Sequence, residues 1–371
     1  MNFNPWKSAP IVVAMLWGGW VGGQTSSPVA SAPAAARSYT ASRHQELTRA
    51  FEEFVVLPNV AADPAGLRNN AEFLLAKLQE LGLASKLLTA PGLTGVPPVV
   101  WGELKTPGAT RTIVFYGHYD GQPVTPSEWE TGQPFVPTMK VVDGEERVYA
   151  RGAADDKAAI FAQLTALHAL QAEHVPLRAN VRFVWEGEEE AGSPHLEQIL
   201  MANRELIRGD IWLVCDGPVD QTRTQSLVFG ARGDTHVQIT VYGPNRSLHS
   251  GHYGNWAPNP AMMLVQLLAG MKDEKGHVLI PHFYDGIAAL GPVERRALAD
   301  APVNDDMLRQ ELALGHTDGG GRHLLELLNE PSLNINGISS RADRGGVDEF
   351  DSVDRGGEPG HSAGRGDGWE S

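Results

Sequence analysis

Four short polar segments, each set directly after or beside an apolar run, constrain this chain more than any other feature. They are Gly117-His118-Tyr119-Asp120, Arg151-Gly152-Ala153-Ala154-Asp155-Asp156-Lys157, Glu186-Gly187-Glu188-Glu189-Glu190-Ala191-Gly192-Ser193 and Cys215-Asp216-Gly217. Three of them follow β-branched and aromatic stretches with the character of buried strands: residues 112–116, 181–185 and 211–215. Residues 158–172 and 194–207 read as the helices between those strands. Strand, chelating residue and helix therefore recur. The pattern predicts an α/β fold: a mostly parallel sheet, helices on both faces, and a ligand crevice at the carboxyl ends of the strands. His118, Glu189, Glu190 and Asp216 all fall at those ends.

So many carboxylates in one pocket repel each other and take up protons unless a cation sits among them. Carboxylates joined by a neutral imidazole suit Zn²⁺, Mn²⁺ or Co²⁺ better than the all-oxygen shell of Ca²⁺. Two divalent ions sharing a carboxylate would make a hydrolytic site, with the pKa of a bridging water lowered and a free carboxylate ready to take its proton.

Composition excludes other classes. The net charge is −15, with no basic cluster to meet a phosphate backbone, so no nucleic-acid partner is expected. The single cysteine, Cys215, rules out an internal disulfide and a multi-cysteine zinc site, and its apolar neighbours suggest a small buried hydrophobe. At the N-terminus, Lys7 and the apolar run 9–21 resemble a secretory signal over residues 1–24, and the Ser/Ala/Pro bias of residues 25–40 suggests a disordered spacer. An exported protein is the expectation.

The rest of the chain reads as two domains. Helices are expected over 41–56 and 67–83, which open a catalytic domain of residues 41–225. From about residue 226 the pattern changes to alternating strands (227–230 and 236–242), helices (258–272, 304–314 and 321–330) and a further strand (332–338), an α+β domain ending near 340. Residues 341–371 carry neither period and are expected to be disordered, and the abrupt change fits a shifted reading frame at least as well as a natural tail.

Residues 117–124, 152–157 and 186–193, together with Leu248-His249-Ser250-Gly251, resemble in order the signature of the di-zinc exopeptidases. That family includes carnosinase-like and other cytosolic dipeptidases, aminoacylase, succinyl-diaminopimelate desuccinylase and glutamate carboxypeptidase. The resemblance runs from about residue 41 to 340 and is nearest to the carnosinase-like branch. It implies that His118 and Asp216 bind a first metal, Glu190 a second, and Asp155 both, with the Asp155–Asp156 peptide cis. It implies that Glu189 is the general base, that Asp120 orients His118, and that His249 of the smaller lid domain stabilises an oxyanion in a partner subunit's site, making a homodimer through the lid. A second histidine for the second metal and an arginine for the substrate carboxylate belong to a segment beyond this chain's recognisable part, so the second site lacks a ligand, and His361 does not replace it. The resemblance implies a metal-dependent dipeptidase acting on small peptides. An N-acyl amino-acid deacylase or desuccinylase on the same site, and a truncated metal-binding protein with impaired catalysis, remain open.

Overall fold

The computed structural model describes residues 31–142, 144–217, 226–233, 235–342 and 348–351. The expected signal, the start of the spacer and most of the tail lie outside the described residues. The chain begins with helices α1 (Ala32–Ser42), α2 (His44–Val55) and α3 (Pro64–Glu80), then strands β1 (Ala84–Leu88), β2 (Val99–Leu104) and β3 (Thr112–His118). A hairpin of β4 (Thr138–Val142) and β5 (Glu145–Tyr149) leads to α4 (Lys157–Ala172), β6 (Asn180–Glu186), α5 (Leu196–Ala202), α6 (Arg204–Ile207) and β7 (Ile211–Val214).

The main sheet has the order β1-β2-β6-β3-β7. Its parallel part is β6, β3 and β7, while β2 runs antiparallel to β6 and β1 antiparallel to β2. The sheet is therefore mixed, and the expected parallel arrangement is confined to the three strands that carry the polar segments. Period-two alternation sorts its residues between two cores. Val100, Val181, Phe183 and Trp185 face helices α2, α3 and α4 through Phe54, Leu67, Leu74, Leu78, Ile160 and Leu164. Val99, Trp101, Val114 and Val184 face α5 and α6 through Ile199, Leu200 and Leu206. Both faces are covered, as βαβ crossovers require.

Parallel pairing brings the three carboxyl ends to one edge. His118 sits opposite Glu186, and Tyr116 opposite Val214. Beyond β3 the backbone leaves the sheet along a fixed path. The Tyr119 amide donates to the Glu186 carbonyl (2.8 Å), the Asn59 side chain donates to the Tyr119 carbonyl (3.0 Å), and the Gly121 amide donates to the Asn59 carbonyl (2.9 Å). Lys157, at the start of α4, is fully buried and donates to the carbonyls of Phe54 (3.0 Å) and Leu57 (2.8 Å). It thereby ties the Asp155–Asp156 segment to the carboxyl end of α2.

The second unit contains β8 (Thr240–Tyr242), α7 (Ser250–Tyr253), α8 (Pro260–Ala269), α9 (Pro292–Asp300), α10 (Asp305–Glu311), α11 (Leu324–Leu327), β9 (Ser339–Ala342) and β10 (Asp348–Asp351). Its sheet is antiparallel in the order β8-β10-β9, with α8 against β8 and β10.

Several expectations need correction. Residues 31–40 are not a disordered spacer: α1 buries Ala35 and Tyr39, one helical turn apart, and the Tyr39 hydroxyl meets His168 of α4 at 3.2 Å. An alanine-rich stretch that reads as low complexity is also a strong helix former. Residues 227–230, 236–239 and 332–338 are not strands among the described residues, because alternation yields a strand only where another strand supplies the ladder; Phe229 is 87% exposed. Residues 348–351 do form one, pairing through their backbones with both β8 and β9. The expected single helix over 194–207 is two, α5 and α6, broken at Asn203. Cys215 is half-buried, its thiol 3.7 Å from the Leu213 carbonyl.

Candidate metal centre

Three of the expected ligands meet at the carboxyl edge of the sheet. His118 ends β3, Asp155 lies just before α4, and Asp216 follows β7. One ligand atom from each lies within 4.8 Å of the others. His118 Nε2 is 3.0 Å from Asp155 Oδ1 and 3.9 Å from Asp216 Oδ2. The histidine is buried, its side chain 1% exposed, whereas that of Asp155 is 65% exposed, so the cluster opens to solvent on the aspartate side. The Asp155–Asp156 peptide is cis, as the resemblance implies.

Asp120 is fully buried beneath this cluster. Its carboxylate lies 3.3 Å from His118 Nδ1 and also accepts the backbone amides of Glu189 (3.2 Å) and Glu190 (3.0 Å). One carboxylate thus holds the imidazole and the loop bearing the expected base. With Nδ1 given to Asp120, Nε2 faces the outer carboxylates, the usual arrangement for a ligating histidine.

Glu189 Oε2 stands 3.9 Å from His118 Nε2. Burial raises the Glu189 carboxyl above its ordinary value, the neighbouring Asp216, Glu190 and Asp120 carboxylates add to this, and His118 opposes it. A carboxylate tuned upward is better matched to taking a proton near neutrality. Glu190 is turned onto Gln122, whose amide donates to its carboxylate, and it is not among the three gathered groups. His249 is not brought to the cluster either: it is an exposed N-cap of α7, its Nδ1 accepting the Gly251 amide at 3.0 Å and its ring beside His252.

Sequence reasoning left some contributors without a role. Asp156 is buried and accepts the His118 amide at 3.2 Å; a side chain at Gly117 would collide with it. Glu186 is not a chelating residue but the buried end of β6, accepting from Tyr116 (2.6 Å) and Ser193 (3.0 Å). Glu188 pairs with His195 at 2.9 Å. The available signal was strand length: a seven-residue β6 in register with β3 carries Glu186 inward.

The donor set fits a divalent cation. An imidazole nitrogen and two carboxylate oxygens converge, and the buried charges around them are out of balance. Burial pulls His118 down, but hydrogen bonding to Asp120 and the charges of Asp120, Asp156 and Glu189 outweigh it and carry the ring up to about 10. Burial raises Asp156 and Glu186 to about 7.

The comparisons with known proteins agree. The family model described as peptidase family M20/M25/M40 matches residues 114–329. This chain belongs to that family. The family is metal-dependent. The chain is 29% identical over 314 residues to the β-Ala-His dipeptidase of Mus musculus, which covers 82% of this chain and 60% of that protein. It is 29% identical over 264 residues to the Cys-Gly metallodipeptidase of Schizosaccharomyces pombe, covering 68% of this chain and 55% of that protein. Among solved structures, human carnosine dipeptidase 1 matches with a TM-score of 0.67 at 26% identity, covering 86% of this chain and 71% of that one. The chain spans about three fifths of the length of the curated relatives it matches. The expectation of export is corrected: it is overturned by the chain's match to the Cys-Gly dipeptidases of S. pombe and Saccharomyces cerevisiae and the cysteinylglycine-S-conjugate dipeptidase of Corynebacterium striatum. A short apolar run behind one lysine is too generic a pattern to stand against them.

The charge balance gives a pH prediction. Asp156, Glu186 and His118 all have folded pKa values above their ordinary ones, and together they outweigh Lys157, which burial lowers to about 7, so between about pH 5 and 8 these groups hold more protons folded than unfolded. Chelator-treated protein should lose stability as pH rises from about 5 to about 8, and added Zn²⁺ should offset the loss. Thermal unfolding midpoints across that range check it; a midpoint that climbs without metal contradicts it.

Proposed function

We infer that the protein is a metal-dependent hydrolase that cleaves the amide bond of dipeptides. The observation that carries this is the convergence of His118, Asp155 and Asp216 with Glu189 beside the same imidazole nitrogen. Relatives named β-Ala-His dipeptidase and Cys-Gly metallodipeptidase support the substrate class. In this reading residues 41–225 form the catalytic domain and 226–340 the lid.

His118 and Asp216 would hold one ion, Glu190 would serve a second, and Asp155 would lie between them. Zinc is the first choice, because the donors are imidazole and carboxylate and the geometry leaves an open side. Such ions supply positive charge that offsets the carboxylates and polarises both a water and the scissile carbonyl. The chain's own residues do the rest. Glu189, with its raised carboxyl, takes the proton of the attacking water as the oxygen–carbon bond forms. It returns that proton to the amine nitrogen as the carbon–nitrogen bond breaks, leaving two amino acids. Asp120 keeps both His118 and the amides of Glu189 and Glu190 in place during this exchange. His249 would act on the partner's site in a homodimer. That assembly is supported by the outward face of α8, where Met262, Met263, Val265 and Leu267 are exposed while Leu264 and Leu268 pack inward. Twice the monomer mass in sedimentation is the expected result, and a monomer at every concentration contradicts it.

Glu189→Gln should lower dipeptide hydrolysis by about 10²–10⁴-fold while bound metal, measured by atomic absorption, stays unchanged. β-Ala-His and Cys-Gly are the substrates to assay, with N-acyl amino acids as the contrasting set. Full activity in that variant would remove the base from Glu189, and preference for N-acyl substrates would overturn the dipeptide reading.

A further inference from the structure

The loop that carries Glu189 and Glu190 is held at both ends by the buried carboxylates of Asp120 and Glu186. At its start, Asp120 accepts the amides of Glu189 and Glu190. At its end, the Ser193 hydroxyl donates to Glu186 Oε1 at 3.0 Å, and the Tyr116 hydroxyl donates to the same oxygen at 2.6 Å. Between these points the chain makes a single tight turn. The amides of Ala191 and Ser193 donate to the Glu188 carbonyl, and that of Gly192 to the Glu189 carbonyl.

The turn has an unusual geometry at its far end. Gly192 has φ 82° and Ser193 φ 51°. A left-handed conformation comes readily to glycine but is uncommon for serine, so the surroundings must hold Ser193 there. Among the described residues, its side chain meets Glu186. Glu186 is itself fixed, since it is 2% exposed, lies across from His118 in the parallel register and accepts Tyr119 at its carbonyl. The near end is equally crowded: a side chain on Gly187 would overlap the Tyr119 ring. Of the four glutamates in the run, Glu186 turns to Tyr116 and Ser193, Glu188 to His195 and Glu190 to Gln122, leaving Glu189 to face His118.

We propose that Tyr116, Glu186 and Ser193 form a positioning clamp that sets where the Glu189 carboxylate stands relative to His118. The clamp rests on the reading of Glu189 as the base, which it deepens. Glu186 is buried, and burying a carboxylate is a cost that a residue serving packing alone would avoid by being apolar. Its two hydroxyl donors keep it an acceptor. Releasing Ser193 frees the turn at one end while Asp120 still holds the other, so Glu189 should drift without the ligand cluster coming apart.

The test uses Ser193→Ala, Ser193→Gly and Tyr116→Phe in the full chain, with three readouts. In Ser193→Ala, hydrogen exchange at the amides of Ala191, Gly192 and Ser193 should quicken about tenfold. Bound zinc should stay at the wild-type level, and kcat for β-Ala-His should fall about 10–100-fold with KM within about twofold. Ser193→Gly, which suits the left-handed backbone but lacks the hydroxyl, and Tyr116→Phe should both move the same quantities in the same direction. Unchanged exchange, a loss confined to KM, or wild-type kcat in Ser193→Gly overturns the clamp. If the wild type binds no metal and hydrolyses nothing, the proposed function fails by itself. Faster exchange in Ser193→Ala would still support the clamp, and unchanged exchange would still overturn it.

Discussion

A buried imidazole flanked by carboxylates is the constraint on which the rest of this structure depends. His118 has Asp120 on one ring nitrogen and Asp155 on the other, with Asp216 and Glu189 just beyond. Such a concentration of negative charge at the edge of a sheet is unfavourable unless a cation answers it. The scaffold holds the residues in place regardless. Three parallel strands bring their carboxyl ends together, and Lys157 ties the Asp155–Asp156 segment to α2. The energy that enforces the site comes from the two apolar cores on either face of the sheet, where Leu74, Leu78, Trp185, Val184 and Ile199 are buried.

Much of this was legible in the residues, for definable reasons. Residues 112–116 and 181–185 are β-branched and aromatic, and strands buried on both faces need such residues. The polar segments after them could therefore be assigned to strand ends. Other parts were not legible. The acidic run after Trp185 looks uniform by charge, yet Glu186 belongs to the strand and points inward while Glu188 serves His195. Only register with β3 separates them. The β4–β5 hairpin was missed because Lys140, Glu145, Glu146 and Arg147 mask its alternation. Residues 227–230 and 236–239 erred the other way, with strand-like alternation but no ladder. Pairing partners are a property of the fold, not of the segment.

The sheet edge that gathers the ligand cluster and the second unit differ in how firmly they are built. At the edge almost every polar group is held: Asp120 has three donors within reach, Glu186 has two, and Asp156 accepts the His118 amide. In the second unit, Met262, Met263, Val265, Leu267 and Trp256 face solvent, and among the described residues His249 is held by its own turn and the ring of His252. The ligand cluster is thus built within the first unit, and the proposed contribution of His249 requires another surface to meet it.

The central claim is that His118, Asp155 and Asp216 together hold a divalent ion. Crystals grown with Zn²⁺ and measured at the zinc absorption edge test it directly. The expected result is an anomalous peak bonded to His118 Nε2 and to carboxylate oxygens of Asp155 and Asp216, at about 2.0–2.2 Å. Zinc bound elsewhere, for instance at the exposed His249 and His252 pair, with His118 still hydrogen-bonded to Asp155, would contradict it.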